Sequence, residues 1–158
     1  MKITAKFHKH IVEEDLASEI ERLLHEGARE FIKSAQDRVP VLTGQAKGTF
    51  MAASEFLGIL HELDFTPNSP HIDQREELMN RGQTPEAGKG YGEFSSEINP
   101  YLGKFHIANS LRYYQHWEFN SSPRGRGNWL SFREGRAAFL KYIRNAELNA
   151  LKITYRKV

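Results

Sequence analysis

The sequence predicts an α+β fold in which a long N-terminal helix and a C-terminal helix pack on a small antiparallel sheet. Three observations predict this class: apolar residues recur at helical spacing towards both ends, short alternating segments lie between them, and a long polar segment divides the halves. The chain has 158 residues, of which 39% are hydrophobic. That length suits one hydrophobic core, so residues 1–158 are predicted to form a single domain.

The first helix is predicted from about Glu13 to Arg38. Its apolar residues form one stripe at helical spacing: Leu16, Ile20, Leu23, Leu24, Ala28, Phe31, Ile32 and Ala35. Acidic residues open the helix and basic residues close it, which complements the helix dipole. Pro40 prevents continuation, because proline biases the preceding residue towards an extended conformation. Before the helix, the alternation in residues 2–8 predicts a short strand or an extended arm.

A second helical run is predicted from Gln45 to Leu63. Thr43 is placed to N-cap it, since its hydroxyl can accept an amide hydrogen two or three residues on. The apolar residues again have helical spacing: Ala46, Phe50, Ala53, Phe56, Leu57 and Leu60. The turn before this run therefore joins two helices, or a helix and a strand.

Residues 64–93 are predicted to form an extended loop or insertion. Prolines and glycines punctuate a polar segment that has few apolar anchors. A helical turn is predicted at Gln74–Met79. Two strands, 94–98 and 104–109, should follow around a turn at Asn99–Pro100.

The C-terminal helix is predicted to begin near Trp129. Ser131 and Glu134 have the spacing of a capping box, in which each side chain bonds a free backbone amide of the first turn. The buried stripe of this helix is formed by Ala138, Phe139, Tyr142, Ile143, Ala146 and Ala150. Leu151–Tyr155 is predicted to be a closing strand.

Composition excludes several classes of protein. With no cysteine, the chain has no disulfide, no thiolate nucleophile and no cysteine-based zinc site. No stretch approaches the roughly 18 consecutive apolar residues of a transmembrane helix, and the N-terminus lacks the apolar segment of a signal peptide. We therefore expect a soluble protein, made in a cytoplasm, without a membrane partner.

The motifs of common enzymes are incomplete in this sequence. Gly82–Gly90 has one residue too many between its glycines for a phosphate-binding loop, and no Ser or Thr follows its lysine. His61 begins a zincin-like motif, but Phe65 stands where the second histidine is required. We expect no catalytic residue, no cofactor and no bound metal. A metal-dependent nuclease stays as a minor alternative, for which the candidate carboxylates are Glu62, Asp64, Asp73, Glu76 and Glu77.

The two halves of the chain differ in charge. Residues 1–79 contain 9 Lys/Arg and 14 Asp/Glu, whereas residues 80–158 contain 13 and 6. Copies of the chain could therefore associate head to tail, or a basic surface could face nucleic acid. Solvated helix faces would give the same asymmetry without any partner. Arg124 and Arg126 are the candidates for contact with DNA phosphates, so a small DNA-binding module is a second alternative.

Two segments carry a resemblance to a known family. The first is Val39-Pro40-Val41-Leu42-Thr43-Gly44, and the second contains Asn109, Tyr113, Tyr114, Glu118 and Phe119 before a loop and the last helix. They resemble the tail-completion, or head-tail joining (neck), proteins of long-tailed bacteriophages. In that family a helix ends in a Pro-hydrophobic-x-Thr-Gly turn, and a later Asn-x-x-x-Tyr-x-x-x-x-Glu segment faces it.

The resemblance covers about half of the chain, and the sequence departs from the family at three places. Residues 64–92 are a long addition. The family usually has a glycine soon after the position of Glu118, where this chain has Phe119 and Asn120. Family members also tend to enter a strand after the Thr-Gly pair, whereas residues 45–63 here favour a helix.

The resemblance implies a structural virion protein, not an enzyme. Such a protein would assemble in the host cytoplasm as a homomeric ring of six copies, or alternatively twelve, and would complete the tail and join it to the head. Its partners would be other copies, the head-tail connector and the tail tube. The expected interface residues are Pro40, Thr43, Gly44, Tyr113, Tyr114 and Trp117. Arg124 and Arg126 would line the DNA passage without reading its sequence.

Overall fold

The structure, a computed structural model, describes residues 9–97, 104–119 and 129–155. The helices in these ranges are α1 (Lys9–Asp37), α2 (Gln45–Gly48), α3 (Met51–Phe56), α4 (Arg75–Asn80), α5 (Pro85–Lys89), α6 (Arg112–Phe119) and α7 (Ser131–Tyr155). Strands β1 (Gly92–Glu97) and β2 (Lys104–Asn109) form an antiparallel sheet. The predicted α+β class is confirmed, and the fold is mostly helical.

Helices α1 and α7 form the frame of the molecule as an antiparallel pair. The pair is close because a glycine on each helix lies at the contact. A Cβ atom on Gly27 would lie 2.6 Å from the Phe139 ring, and one on Gly135 would lie 2.9 Å from the carbonyl oxygen of Phe31. Near the end of α1, Arg38 forms an ion pair of 3.2 Å with Glu134. The predicted long first helix is thus confirmed and is anchored along its length by α7.

The sheet packs on this helix pair through phenylalanine side chains. Gly92 pairs with Asn109 and Phe94 with Ile107 across the two strands. The ring of Phe105 lies 5.9 Å from that of Phe31 and 4.8 Å from that of Phe139, measured between centroids. The apolar face of the sheet therefore joins the core formed by α1 and α7, as the strand pattern predicted.

The predicted single helix over residues 45–63 is wrong. The chain instead forms α2, α3 and a 3-10 turn at Leu60–Glu62. Helix α3 stops because Gly58 adopts φ +68, and the amides of Gly58 and Ile59 donate to the carbonyl oxygens of Glu55 and Ser54. This pair of bonds is a Schellman motif, which requires a left-handed residue just after the helix.

Three further segments differ from prediction or add to it. Helix α7 continues through Tyr155, so the predicted closing strand at Leu151–Tyr155 is wrong. Helix α6 was not predicted. In the 64–93 segment, α4 confirms the predicted helical turn, and α5 is an additional helix with Thr84 as its N-cap. The predicted arm at residues 2–8 and the turn at Asn99–Pro100 lie outside the described residues.

Candidate protein-docking groove

The turn between α1 and α2 is fixed by the segment at residues 68–69. The amides of Asn68 and Ser69 donate to the carbonyl oxygen of Val41 at 2.9 and 3.1 Å. The Val41 amide donates in return to Oδ1 of Asn68 at 2.6 Å. These bonds satisfy the backbone of a turn that is partly buried, so its shape is set before any partner binds.

Gly44 has a conformation that other residues adopt rarely, with φ +86. A Cβ atom at this position would also lie 2.8 Å from Cγ of Pro85. Gly44, and not Thr43 as predicted, is the N-cap residue of α2. The Thr43 hydroxyl does accept the Gln45 amide, at a long distance of 3.4 Å. The Thr-Gly pair therefore sets the direction in which α2 leaves the turn.

Two side-chain hydrogen bonds hold the first part of the 64–93 segment against the turn region. Lys47 is buried, and its ammonium group donates to the carbonyl oxygen of Asp64 at 3.1 Å. Burial lowers the pKa of Lys47 from its usual value. Arg75 of α4 donates through Nε to the carbonyl oxygen of Leu42 at 3.1 Å. The 64–93 segment is therefore attached to the turn at both Asp64 and Arg75.

The second sequence segment meets the turn through its side chains. The Tyr113 hydroxyl donates to Oε1 of Gln45 at 3.0 Å, across 68 positions of sequence. Nδ2 of Asn109 donates to the hydroxyl of Thr49 at 2.8 Å. Asn109 also accepts the Leu111 amide through Oδ1 at 3.0 Å, which begins the turn into α6. The second segment thus lies against α2 and Thr49, which directly follow the turn.

Glu118 joins the end of α6 to the start of α7. Its side chain is only 2% exposed and accepts hydrogen bonds from the Ser131 amide, the Ser131 hydroxyl and the Phe132 amide at 2.9, 2.7 and 2.8 Å. The carboxylate thereby caps the N-terminus of α7, although Glu118 lies 13 positions before Ser131 in the sequence. The predicted capping box of Ser131 and Glu134 is wrong, because Ser131 bonds Glu118 and Glu134 pairs with Arg38.

Tyr114 belongs to the core and not to an exposed interface, which corrects the prediction for this residue. It is 2% exposed, and its hydroxyl lies 2.5 Å from Oγ of Ser131. Since Ser131 donates to Glu118, the hydroxyl of Tyr114 donates to Ser131. Burial raises the pKa of Tyr114 well above its ordinary value. Tyr114 therefore joins α6 to the start of α7 from within the core.

The other five predicted interface residues line one open groove of about 570 Å³. They are Pro40, Thr43, Gly44, Tyr113 and Trp117. The remaining lining residues are Arg38, Leu42, Gln45, Ala46, Ser69, Pro70, His71, Leu78, Gln83 and Trp129. Most of the groove surface is apolar, and its aromatic residues all come from α6 and the approach to α7.

The residues of the aromatic wall of the groove contact one another. The rings of Trp117 and Trp129 stack with centroids 6.0 Å apart at an angle of 13°. The Trp129 amide donates to the carbonyl oxygen of Trp117 at 3.0 Å. Burial, together with the nearby Tyr91, raises the pKa of Tyr113 to about 12, so its hydroxyl stays protonated at neutral pH. The wall therefore offers flat apolar area with one neutral hydroxyl.

Sequence reasoning missed the opposite wall of the groove, which comes from residues 69–83. The signal for it was weak, because Pro70 and Leu78 lie in a polar segment without periodicity. Trp129 was recognised only as the beginning of a helix. Arg124 and Arg126, the predicted DNA-lining residues, lie outside the described residues.

The described ranges show neither of two other kinds of site. Among the side chains that the structure describes, no three His, Asp or Glu residues lie close enough together to hold a metal ion. The same ranges contain no helix that is long and apolar enough to span a membrane. Comparisons of the chain with protein-family models, with curated proteins and with solved structures found no match.

Proposed function

We propose that this chain is a structural protein of the bacteriophage neck, where it forms a homomeric ring that completes the tail and joins head to tail. One observation carries the proposal. The turn at residues 39–44 and the segment at residues 109–118 together line an open apolar groove, which contains five of the six predicted interface residues.

The composition of the groove suits a protein partner. Its exposed surface combines tryptophan, tyrosine, proline and leucine with a rim that includes Arg38 and Gln83. Aromatic residues and arginine are enriched at the centres of protein interfaces, where an apolar side chain of the partner fills a pocket. In the neck, the occupant would be a loop or a terminal segment of the head-tail connector or of the tail tube.

The groove is also pre-formed, which reduces the cost of binding. Its walls are fixed by backbone bonds to Val41, by the Tyr113 to Gln45 bond and by the stacked Trp117 and Trp129. A partner that docks there does not have to order the site first. The mechanism is therefore geometric: a rigid subunit presents a shaped surface at a joint and catalyses nothing.

A complementation experiment tests this function. A nonsense mutation in this gene of the phage that carries it should give DNA-filled heads and separate tails in electron micrographs. The wild-type chain supplied from a plasmid should restore infectious particles. Leu42→Glu, which places a charge in the groove, should not restore them. Leu60→Glu should restore them, because Leu60 is exposed but lies outside the groove.

The outcome can contradict the proposal in two ways. Intact infectious particles from the nonsense mutant would show that the chain is not needed to join head and tail. Restoration by Leu42→Glu as efficient as by the wild type would show that the groove does not dock a partner. Circular dichroism of the purified variants checks that the charge has not unfolded the domain.

A further inference from the structure

The solvent side of α1 carries a stripe of acidic residues. The stripe consists of Glu19, Glu26, Glu30 and Asp37, whose spacing places them on one face of the helix. All four are exposed, whereas Ala28 and Phe31 of the same helix are buried. Glu19 pairs with Arg22 at the surface, at 2.7 Å. The other three form no ion pair within the part of the chain that the structure describes.

The solvent side of α7 carries a stripe of basic residues, formed by Arg133, Arg136 and Arg144. All three are exposed. Leu140 lies on the same side of the helix and is 41% exposed. The opposite side of α7 faces α1 through Gly135 and Phe139. The basic stripe therefore points away from α1 of its own copy.

Part of the acidic stripe matches the basic stripe in length. Eleven positions separate Glu19 from Glu30, and eleven separate Arg133 from Arg144, so each of these two lengths is about 16 Å at 1.5 Å per residue; Asp37 extends the acidic stripe beyond this part. If the helices align antiparallel, Glu30 faces Arg133. Glu26 then faces Arg136 and Glu19 faces Arg144, with the spacings along the two helices differing by a single position. The exposed Leu140 would be covered in the same contact.

We propose that the basic stripe of α7 in one copy docks on the acidic stripe of α1 in the next copy. The partner of each stripe is thus a second copy of this chain, and the argument is charge complementarity at matched spacing. A contact between two different surfaces joins copies head to tail and gives a ring when the rotation closes. The closing of these contacts into a ring rests on the proposed neck function.

Charge reversal on each stripe tests the contact. The acidic-stripe variant is Glu26→Lys with Glu30→Lys, and the basic-stripe variant is Arg133→Glu with Arg136→Glu. In either variant alone, two like-charged stripes face each other between copies. We expect each to need at least about tenfold more protein than the wild type to associate, measured by sedimentation velocity at low salt, because like charges at a contact oppose it.

An equimolar mixture of the two variants should associate again. Each variant then supplies the stripe that the other lacks, and alternation around a ring requires an even number of copies, such as six or twelve. A matched control is Glu76→Lys with Glu93→Lys, which changes the net charge by the same amount at exposed positions outside the stripe. The control should associate as the wild type does.

Three results would overturn the contact. The first is association of the single variants at wild-type concentrations, and the second is a wild type that stays monomeric at low salt. The third is a basic-stripe variant that associates normally but loses salt-sensitive binding to duplex DNA, which would make α7 a nucleic-acid surface. These results are separable from the neck function. Stripe variants that complement the nonsense mutant would contradict the contact between copies and leave the neck function standing. An infectious nonsense mutant would contradict the neck function.

Discussion

Glu118 shows how one buried charge can organise the region behind the groove. Its carboxylate accepts three hydrogen bonds from the first turn of α7, and the hydroxyls of Tyr114 and Ser131 complete the chain of donors. A buried carboxylate is stable only when its oxygens are satisfied in this way. Glu118 thereby ties α6, which supplies the aromatic wall of the groove, to the frame helix α7.

Replacing this carboxylate should weaken the whole domain. In Glu118→Gln, the side-chain amide has only one acceptor oxygen. Its NH2 group would face donors of the first turn of α7 that bond the carboxylate in the wild type, so these buried donors lose their acceptor. We expect the free energy of unfolding to fall by about 2–3 kcal/mol in urea titrations followed by tryptophan fluorescence. Glu93→Gln, at an exposed position, should change it by less than about 0.5 kcal/mol. Equal stability of the two variants would contradict this role of Glu118.

Tyr113 should make stability depend on alkaline pH. Its pKa is raised to about 12 in the folded protein, against about 10 in an unfolded chain. The folded state therefore keeps the phenol proton longer, and the stability that Tyr113 contributes is complete below pH 10. That contribution is lost as the pH rises from 10 through about 12. Tyr113→Phe should reduce this part of the loss, measured by urea unfolding at several pH values, and an unchanged profile would contradict it.

At the scale of elements, the groove depends on a very close contact between α2 and α5. A Cβ atom on Gly48 would overlap the carbonyl oxygen of Pro85, and one on Gly88 would overlap that of Gln45. Only glycine allows the backbones to approach so closely. This contact positions the 64–93 segment beside the turn. The segment is therefore part of the groove and not merely an addition to a smaller domain.

Gly48→Ala should separate these two helices. We expect the free energy of unfolding to fall by about 2–3 kcal/mol, because the added methyl group meets backbone that cannot rotate away. Gly90→Ala is the matched control, since its nearest neighbour would be an ordinary contact at 3.5 Å. The control should be as stable as the wild type, or slightly more so. A Gly48→Ala variant as stable as this control would show that α2 and α5 can move apart without cost.

Elements with a strong internal pattern could be predicted from the sequence, and those specified by distant partners could not. The apolar stripes of α1 and α7 and the alternation of β1 and β2 lie within single segments. Helix α6 was missed because one of its buried positions is occupied by Glu118, whose partners lie on α7. The break after α3 did have a local signal in Gly58, which helical periodicity alone overrode.

The same distinction applies to the groove. The turn residues and Tyr113 were recognisable from sequence because the resemblance marks them as a pair of motifs. Pro70, Leu78 and Trp129 were not, since they reach the groove only through the packing of α4 and α7 around the turn. Tyr114 was assigned to the interface because an aromatic side chain next to Tyr113 has no sequence signal for the side it faces. Its burial and its hydrogen bond to Ser131 show that it faces the core.

At the level of the whole molecule, two surfaces would make different contacts. The stripes on α1 and α7 would join neighbouring copies around the ring. The groove, which lies beside the C-terminal end of α1, would receive a segment from the connector or the tube. Contacts between exposed charges weaken with salt, because screening shortens their range to about 8 Å at physiological ionic strength. The groove contact is largely apolar and should persist.

The mass of the unmodified protein in solution shows directly whether this chain builds a ring. Sedimentation velocity over a range of protein concentrations, at low and at high salt, gives that mass without a partner or a variant. We expect a closed species of six or twelve copies whose population grows with concentration at low salt and which dissociates as salt is added. A monomer at every concentration, in both low and high salt, would contradict a ring built by this chain.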